Sequence, residues 1–198
     1  MKVNLGSGPL KGQDSWLNID SLEGADIKAD IAEGIPLKDG SVEMLYSSHF
    51  LEHLEYRQVC RTLLECHRVL AVGGVISLCL PNARRYIDDY LNNSSNLNGS
   101  RRIIYLPDAT QLEAPSFLSA VEWTLSAKAL VNTCSPIDWV NYIAYSNGDH
   151  KYMFDEVNIV SHLDMAGFSS SCLRAFDPAI DDQSRQTESL YAQAIKSN

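Results

Sequence analysis

Val75–Leu80 reads VISLCL, an apolar run without the alternation that a half-solvated strand would show. A parallel strand covered on both faces has this character, so the run constrains the chain to a sheet held between other layers. The residues before it fit that architecture. From about Glu55 to Leu70, the residues Val59, Leu63, Leu64, Cys66, His67 and Leu70 recur at helical spacing. The Gly73-Gly74 pair is expected to stop that helix. Four short strand patterns precede it: Lys2–Leu5, Trp16–Asp20, Ala25–Ile31 and Val42–Ser47. The first runs into Gly6-Ser7-Gly8-Pro9, where two glycines and a proline end regular structure. Strand, turn, strand, helix, strand is the rhythm of a parallel α/β sheet.

Past Pro81 the rhythm changes. A polar stretch, NNSSNLNGS at 92–100, is followed by segments rich in aromatic and small residues. Of these, 117–130 and 137–145 are expected to be helical and include Trp123, Trp139, Tyr142 and Tyr145. The alternating pattern then returns. Residues 155–166 read as a helix with Asp155 as N-cap and Gly167 as its stop. Residues 168–176 and 189–196 read as two closing strands. Residues 83–150 are therefore an insertion after the fifth strand, serving either as extra core packing or as a lid and substrate wall. The second reading is favoured, because such sheets bind ligands beyond the carboxyl ends of their strands.

Length and composition narrow the classes. At 198 residues the chain suits a single domain, residues 1–198, and 45% hydrophobic with 21% charged residues is ordinary globular composition. A net charge of −9 argues against a nucleic-acid partner, whose phosphates require a basic surface. No apolar run is long enough to span a bilayer, and the N-terminus has no secretory leader pattern. The five cysteines are odd in number and contain no C-x-x-C pair, so reduced thiols in a cytoplasmic protein are expected.

The strand ends carry the chemistry. The first strand ends at Gly6-Ser7-Gly8, where missing Cβ atoms let backbone amides approach a ligand. The second ends at Asp20 and Ser21, where a carboxylate suits a pair of ribose hydroxyls. The third ends at Asp30, able to accept from an adenine amine, with Ile31 as an apolar cover. The fourth ends at Ser47-Ser48-His49, a polar cluster at the mouth of the cleft. Each signal alone is weak, since a lone Asp after a strand is more often a helix cap and G-x-G is common in turns. In order, at four successive strand ends, they specify an adenosine-containing ligand.

These residues resemble class I methyltransferases of the methyltransferase type 11 group. The resemblance rests on NLGSG at 4–8, SWLNID at 15–20, ADI at 29–31, SSHFLEHL at 47–54, HRVLAVGGVISLCLPN at 67–82 and HKYMFDEVNIVSHLDMAGF at 150–168. It covers the core sheet and the last helix but not residues 83–149. It implies a Rossmann-like, doubly wound, mostly parallel α/β sheet with S-adenosylmethionine as cofactor. Asn4, Gly6, Ser7 and Gly8 would lie against the methionine moiety, Asp20 and Ser21 at the ribose, Asp30 and Ile31 near adenine, and Ser47 and Ser48 toward the sulfonium. Class I enzymes usually carry an acidic residue where Asn4 stands. They also usually place a helix between their first two strands. Here only about ten residues separate those strands, fewer than a parallel crossover normally needs, so loops or single turns are expected on that edge. A dinucleotide is the natural competitor as ligand. It requires G-x-G-x-x-G opening a helix, and no room for that helix precedes SWLNID.

Methyl transfer to a hydroxyl requires a base. The candidates are His49, His53 and His150, whereas His67 and His162 fall inside helices and read as structural. His49 and His53 share a face if their segment is helical. No His, Asp or Glu spacing along the chain supports three metal ligands, so no metal site is expected. The favoured activity is methylation, with oxygen as the expected site, of a small-molecule or sugar acceptor. The alternative is a non-catalytic binding or scaffold protein that keeps the fold. Aromatic residues of 117–145 suit a homodimer interface as well as a lid.

Overall fold

The computed structural model describes residues 1–8, 15–93 and 137–198. Expectations for 117–130 and for the polar tract at 94–100 lie outside these residues. Seven strands form one sheet: β1 (Lys2–Leu5), β2 (Leu17–Asp20), β3 (Ile27–Lys28), β4 (Val42–Ser48), β5 (Leu70–Pro81), β6 (Ser169–Leu173) and β7 (Ser189–Ile195). The helices are α1 (Tyr56–Val69), α2 (Ala83–Asn93), α3 (Ile137–Tyr145) and α4 (Glu156–Met165). Strand order is β3-β2-β1-β4-β5-β7-β6, parallel from β3 to β5, with β7 antiparallel to both β5 and β6. The order reverses between β1 and β4, whose pairing sets Leu5 opposite Ser47. A ligand crevice is expected at that point.

Both faces of the central strands are covered, as VISLCL implies. On one face Leu45, Ile76, Leu78 and Leu80 join Val59, Leu63 and Cys66 of α1 and Ile159 and Leu163 of α4 in the main core. On the other face Tyr46, Cys79 and Tyr191 meet Trp16, with Phe176 and Ile180 packed against them. A strand side chain alternates between these two cores every residue, which is why no polar alternation survives in the sequence. The 174–181 segment closing the second face is anchored by Arg174, whose guanidinium reaches Asp181 at 2.5 and 2.8 Å and Ser77 Oγ at 2.9 Å.

Several boundaries differ from the sequence reading. β3 is only two residues long, and Asp30 follows it in a turn. Helix α1 ends at Val69 without help from glycine, because Leu70 turns directly into extended backbone (φ −67°, ψ 139°) and begins β5. The Gly73-Gly74 pair lies inside that strand, at a register shift against β4 between Val42 and Met44. Of the apolar positions assigned to the helix, Leu64 is exposed. Helix α4 starts as expected, with the Asp155 carboxylate accepting from the amides of Val157 and Asn158 at 3.0 and 2.7 Å. The β2–β3 link is a short turn with no helix, and residues 9–14 of the β1–β2 link lie outside the described set. Four cysteines, Cys60, Cys66, Cys79 and Cys172, are free thiols. Among the described residues, no helix is long and apolar enough to cross a membrane.

Candidate functional site

The carboxyl ends of β1, β2 and β4 converge as expected, and the glycine loop joins the first two. Gly6 has φ +66°, a conformation costly for a residue with a Cβ, and its amide donates to Ile19 O at 2.9 Å. A Cβ here would lie 2.4 Å from the ring of Phe50, so this glycine admits an aromatic ring against the loop. Gly8 also has φ +66°, but a Cβ there would meet no described residue within 4 Å. Its amide donates to Asp20 Oδ2 at 2.8 Å, and Leu22 N donates to Asp20 Oδ1 at 2.9 Å. The buried Asp20 carboxylate thus shapes the loop, and each oxygen keeps a second lone pair for a ligand hydroxyl.

Other predicted residues take different places. Asn4 donates to Asn18 Oδ1 at 3.2 Å, and Asn18 in turn donates to Asp26 Oδ2 at 2.9 Å. A neutral amide in place of the usual acid therefore links β1, β2 and the turn after β2. Ser7 turns its hydroxyl onto its neighbour Gly8, and Ser21 is exposed. Asp30 is exposed and accepts from Ala32 N at 3.0 Å, capping its own turn. Ile31 belongs to the main core. Ser48 is partly buried at the end of β4. Ser47 is buried, and its hydroxyl has no hydrogen-bond partner among the described residues.

Beyond β4 lies a buried polar cluster. His49 (φ +49°) places Nε2 2.7 Å from Ser189 Oγ and 3.9 Å from a Glu188 carboxylate oxygen. Its Nδ1 is 3.7 Å from Glu52 Oε1. A short 3-10 turn, Leu51–His53, carries Glu52 and His53. The segment leading to α4 docks on that turn: Lys151 N and Tyr152 N both donate to Glu52 O, at 2.8 and 3.2 Å. His53 Nδ1 donates to Asp149 O at 3.1 Å, and His150 Nδ1 donates to Ile143 O at 2.9 Å. The two rings meet edge to face with centroids 5.1 Å apart. Spacing along the chain supports no set of three metal ligands, yet the fold brings one ligand atom from each of Glu52, His53 and His150 within 4.8 Å of the others. Spacing along the chain could not reveal it, because His150 lies at the far end of the insertion.

Burial dominates the electrostatics of this cluster. It pushes Glu52 up to about 8, with Glu188 adding to the rise and Arg185 opposing it. Glu188 is raised to about 7 by burial, against Arg185. His49 is held well below the ordinary histidine value, first by burial and then by the charge of Arg185, and His150 is lowered for the same first reason. His49 is therefore a neutral imidazole at neutral pH. Glu52, Glu188, Arg185 and Ser189 did not stand out in the sequence. For Glu52 the only signal was its position between two histidines in an otherwise apolar segment. His162, by contrast, packs among Tyr56, Tyr152 and Phe154 and accepts or donates with Tyr152 at 3.1 Å, and His67 packs on Phe168.

Residues 13–78, a third of the chain, match the Methyltransf_11 family, described as a methyltransferase domain. None of the curated proteins matches in sequence. Among solved structures the chain is similar to one in the Haloferax volcanii complex between the Trm112 methyltransferase activator and a methyltransferase (12% identity, TM-score 0.55, 100% of this chain and 82% of that one). It is likewise similar to S-adenosylmethionine-dependent methyltransferases of Thermotoga maritima (13%, TM-score 0.53, 99% and 82%) and Archaeoglobus fulgidus (13%, TM-score 0.54, 98% and 85%). At such identities the structures speak for the fold, and the sequence match speaks for residues 13–78. The chain thus has the α/β fold of these S-adenosylmethionine-dependent methyltransferases, and its residues 13–78 match a methyltransferase domain.

Proposed function

We propose that the chain methylates a hydroxyl of a small-molecule or sugar acceptor, with His49 as general base. The observation that carries this reading is the buried, neutral His49 imidazole, set at the carboxyl end of β4 beside Ser189, Glu52 and Glu188. The cofactor supplies an electrophilic methyl group on a sulfonium. The protein must then hold the acceptor in line, exclude water and take up the acceptor's proton.

The residues fit that cofactor. Among the described residues, nothing crowds the position above Gly8, Asp20 has lone pairs for ribose hydroxyls, and the Ser47 hydroxyl next to Leu5 across the reversal point has no hydrogen-bond partner. Gly6, Gly8 and Asp20 would hold its methionine and ribose parts, with Phe50 as an apolar wall. Helices α2 and α3 pack together beyond β5, and the Ile143 carbonyl of α3 orients His150. The insertion to which they belong is the natural wall of the acceptor pocket. A buried site among carboxyl and imidazole groups suits a polar, uncharged acceptor better than an anionic one.

Calorimetry with S-adenosylhomocysteine tests the cofactor half of this reading. The wild type binds, and Asp20→Ala weakens binding by about tenfold or more through loss of a charged acceptor. No binding by the wild type would sink the methyl-transfer reading. His49→Ala should lower turnover by about 10²–10⁴ with cofactor affinity nearly unchanged. Equal loss of both would show a structural role for His49 instead.

A further inference from the structure

We propose that Glu52, His53 and His150 form a binding site for a divalent first-row transition cation. The three residues offer one ligand atom each within 4.8 Å of one another, from a segment before the insertion and from its last residue. Two further observations point to a cation.

The first is the state of Glu52. Its side chain is 2% exposed, and neither carboxylate oxygen accepts a hydrogen bond among the described residues. A buried carboxylate without a partner is costly, and it is tolerated where a cation or a proton completes it. Arg185 acts on it through its charge, and its Nη1 has no hydrogen-bond partner among the described residues. The nearest imidazole nitrogens, His49 Nδ1 at 3.7 Å and His53 Nε2 at 3.9 Å, are beyond hydrogen-bond reach.

The second is the tautomer of the two histidines. Each has Nδ1 against a backbone carbonyl, Asp149 O for His53 and Ile143 O for His150. A carbonyl only accepts, so both Nδ1 atoms carry the proton and both Nε2 atoms carry the lone pair. Metal-ligating histidines are oriented by such second contacts, which fix the tautomer and aim the ring. The His53 ring is held in this way with Nε2 on the Glu52 side.

The distances suit a transition cation. Nitrogen and oxygen ligands of a tetrahedral zinc site stand roughly 3.4 Å apart, given bonds of about 2.0–2.1 Å. The present 3.9 Å between Glu52 Oε1 and His53 Nε2 is about 0.5 Å longer, and the three ligand atoms lie within 4.8 Å of one another, so the side chains would draw together by about 1 Å around a bound ion. Two imidazoles and one carboxylate favour zinc, iron, cobalt or nickel over magnesium and calcium, which prefer all-oxygen shells. Three protein ligands leave a coordination position open, as in catalytic rather than structural sites. That position is where the acceptor hydroxyl would bind; this last step rests on the methyl-transfer reading, whereas the site does not.

The test uses the full chain, stripped with a chelator and titrated with Co²⁺ by calorimetry and visible absorption. One equivalent should bind, with d–d bands and no thiolate charge-transfer band. His53→Ala, His150→Ala and Glu52→Gln should each weaken binding at least about tenfold, since even outer contacts to metal ligands are worth about 10–100-fold. His67→Ala should leave affinity unchanged. The His53 side chain is 42% exposed, so its removal spares the core, and circular dichroism verifies the fold of every variant. Absence of binding, equal affinity in wild type and the three ligand variants, or a thiolate band would each overturn the site. Titrating S-adenosylhomocysteine into the same samples separates the two readings. Cobalt binding without nucleoside binding defeats methyl transfer alone, and the reverse defeats the metal site alone.

Discussion

Replacing Gly6 by alanine probes the contact on which the glycine loop turns. Two penalties add at this position. The backbone sits at φ +66°, which costs an L-residue about 1–2 kcal/mol. The new methyl group would also stand 2.4–2.5 Å from three carbons of Phe50, whereas carbon atoms rest about 3.5–4.0 Å apart. The ring must therefore retreat by about 1 Å, and overpacking of this kind costs about 1–3 kcal/mol. Together these predict a loss of about 2–5 kcal/mol, a large share of the roughly 5–15 kcal/mol that stabilises a domain. Urea unfolding followed by tryptophan fluorescence measures it in the wild type, Gly6→Ala, Phe50→Ala and the double variant. Truncating Phe50 removes the overlap but leaves the backbone penalty, so the cycle should return a coupling of about 1–3 kcal/mol. Additivity to within about 0.5 kcal/mol would refute the argument, because it would mean that Phe50 does not rest on the loop. The same cycle read with S-adenosylhomocysteine reports whether that ring also lines the cofactor's seat.

Two further outcomes follow from the packing around the site. Arg174→Met leaves the buried Asp181 carboxylate with only Tyr46 Oη and Asp177 N as donors among the described residues, so stability should fall by about 3–5 kcal/mol in urea unfolding. A loss under about 1 kcal/mol would show that the pair does not anchor the 174–181 segment. Glu65, bonded to Arg68 at 2.7 and 2.8 Å and to Ile35 N at 3.1 Å, has its carboxyl held below the ordinary glutamate value of 4.5, chiefly by Arg68. A depressed carboxyl stabilises fully above its unfolded value and loses that contribution as pH falls through its folded value. Wild type should therefore exceed Glu65→Gln in urea midpoint at neutral pH, and the two curves should converge below pH 4.5; parallel curves would rule out the linkage.

Much of this molecule is local and therefore legible in the sequence. The strand patterns of β1, β2 and β4, the helical spacing of α1, the unbroken apolar run of β5 and the cap and stop of α4 are all written in nearby residues, because which face a side chain meets is set by the 2.0 or 3.6 residue repeat of its own element. The Asp155 cap is likewise decided by residues within three positions of it. The glycine loop and Asp20 were legible too, since both lie at the ends of adjacent strands close in the chain. What the loop does was less so. Asp20 holds the Gly8 amide and Gly6 admits Phe50, and neither partner can be read from turn propensity.

The tertiary structure alone decided the polar cluster. His53 and Asp149 are 96 residues apart, and no repeat links them. Glu52 looks solvated by composition, and the fold buries it and leaves its carboxylate without a hydrogen-bond partner among the described residues. Local geometry depends on neighbours along the chain and is written there. Desolvation depends on whatever folds on top, and that is settled only when β4, β7 and the entry to α4 meet.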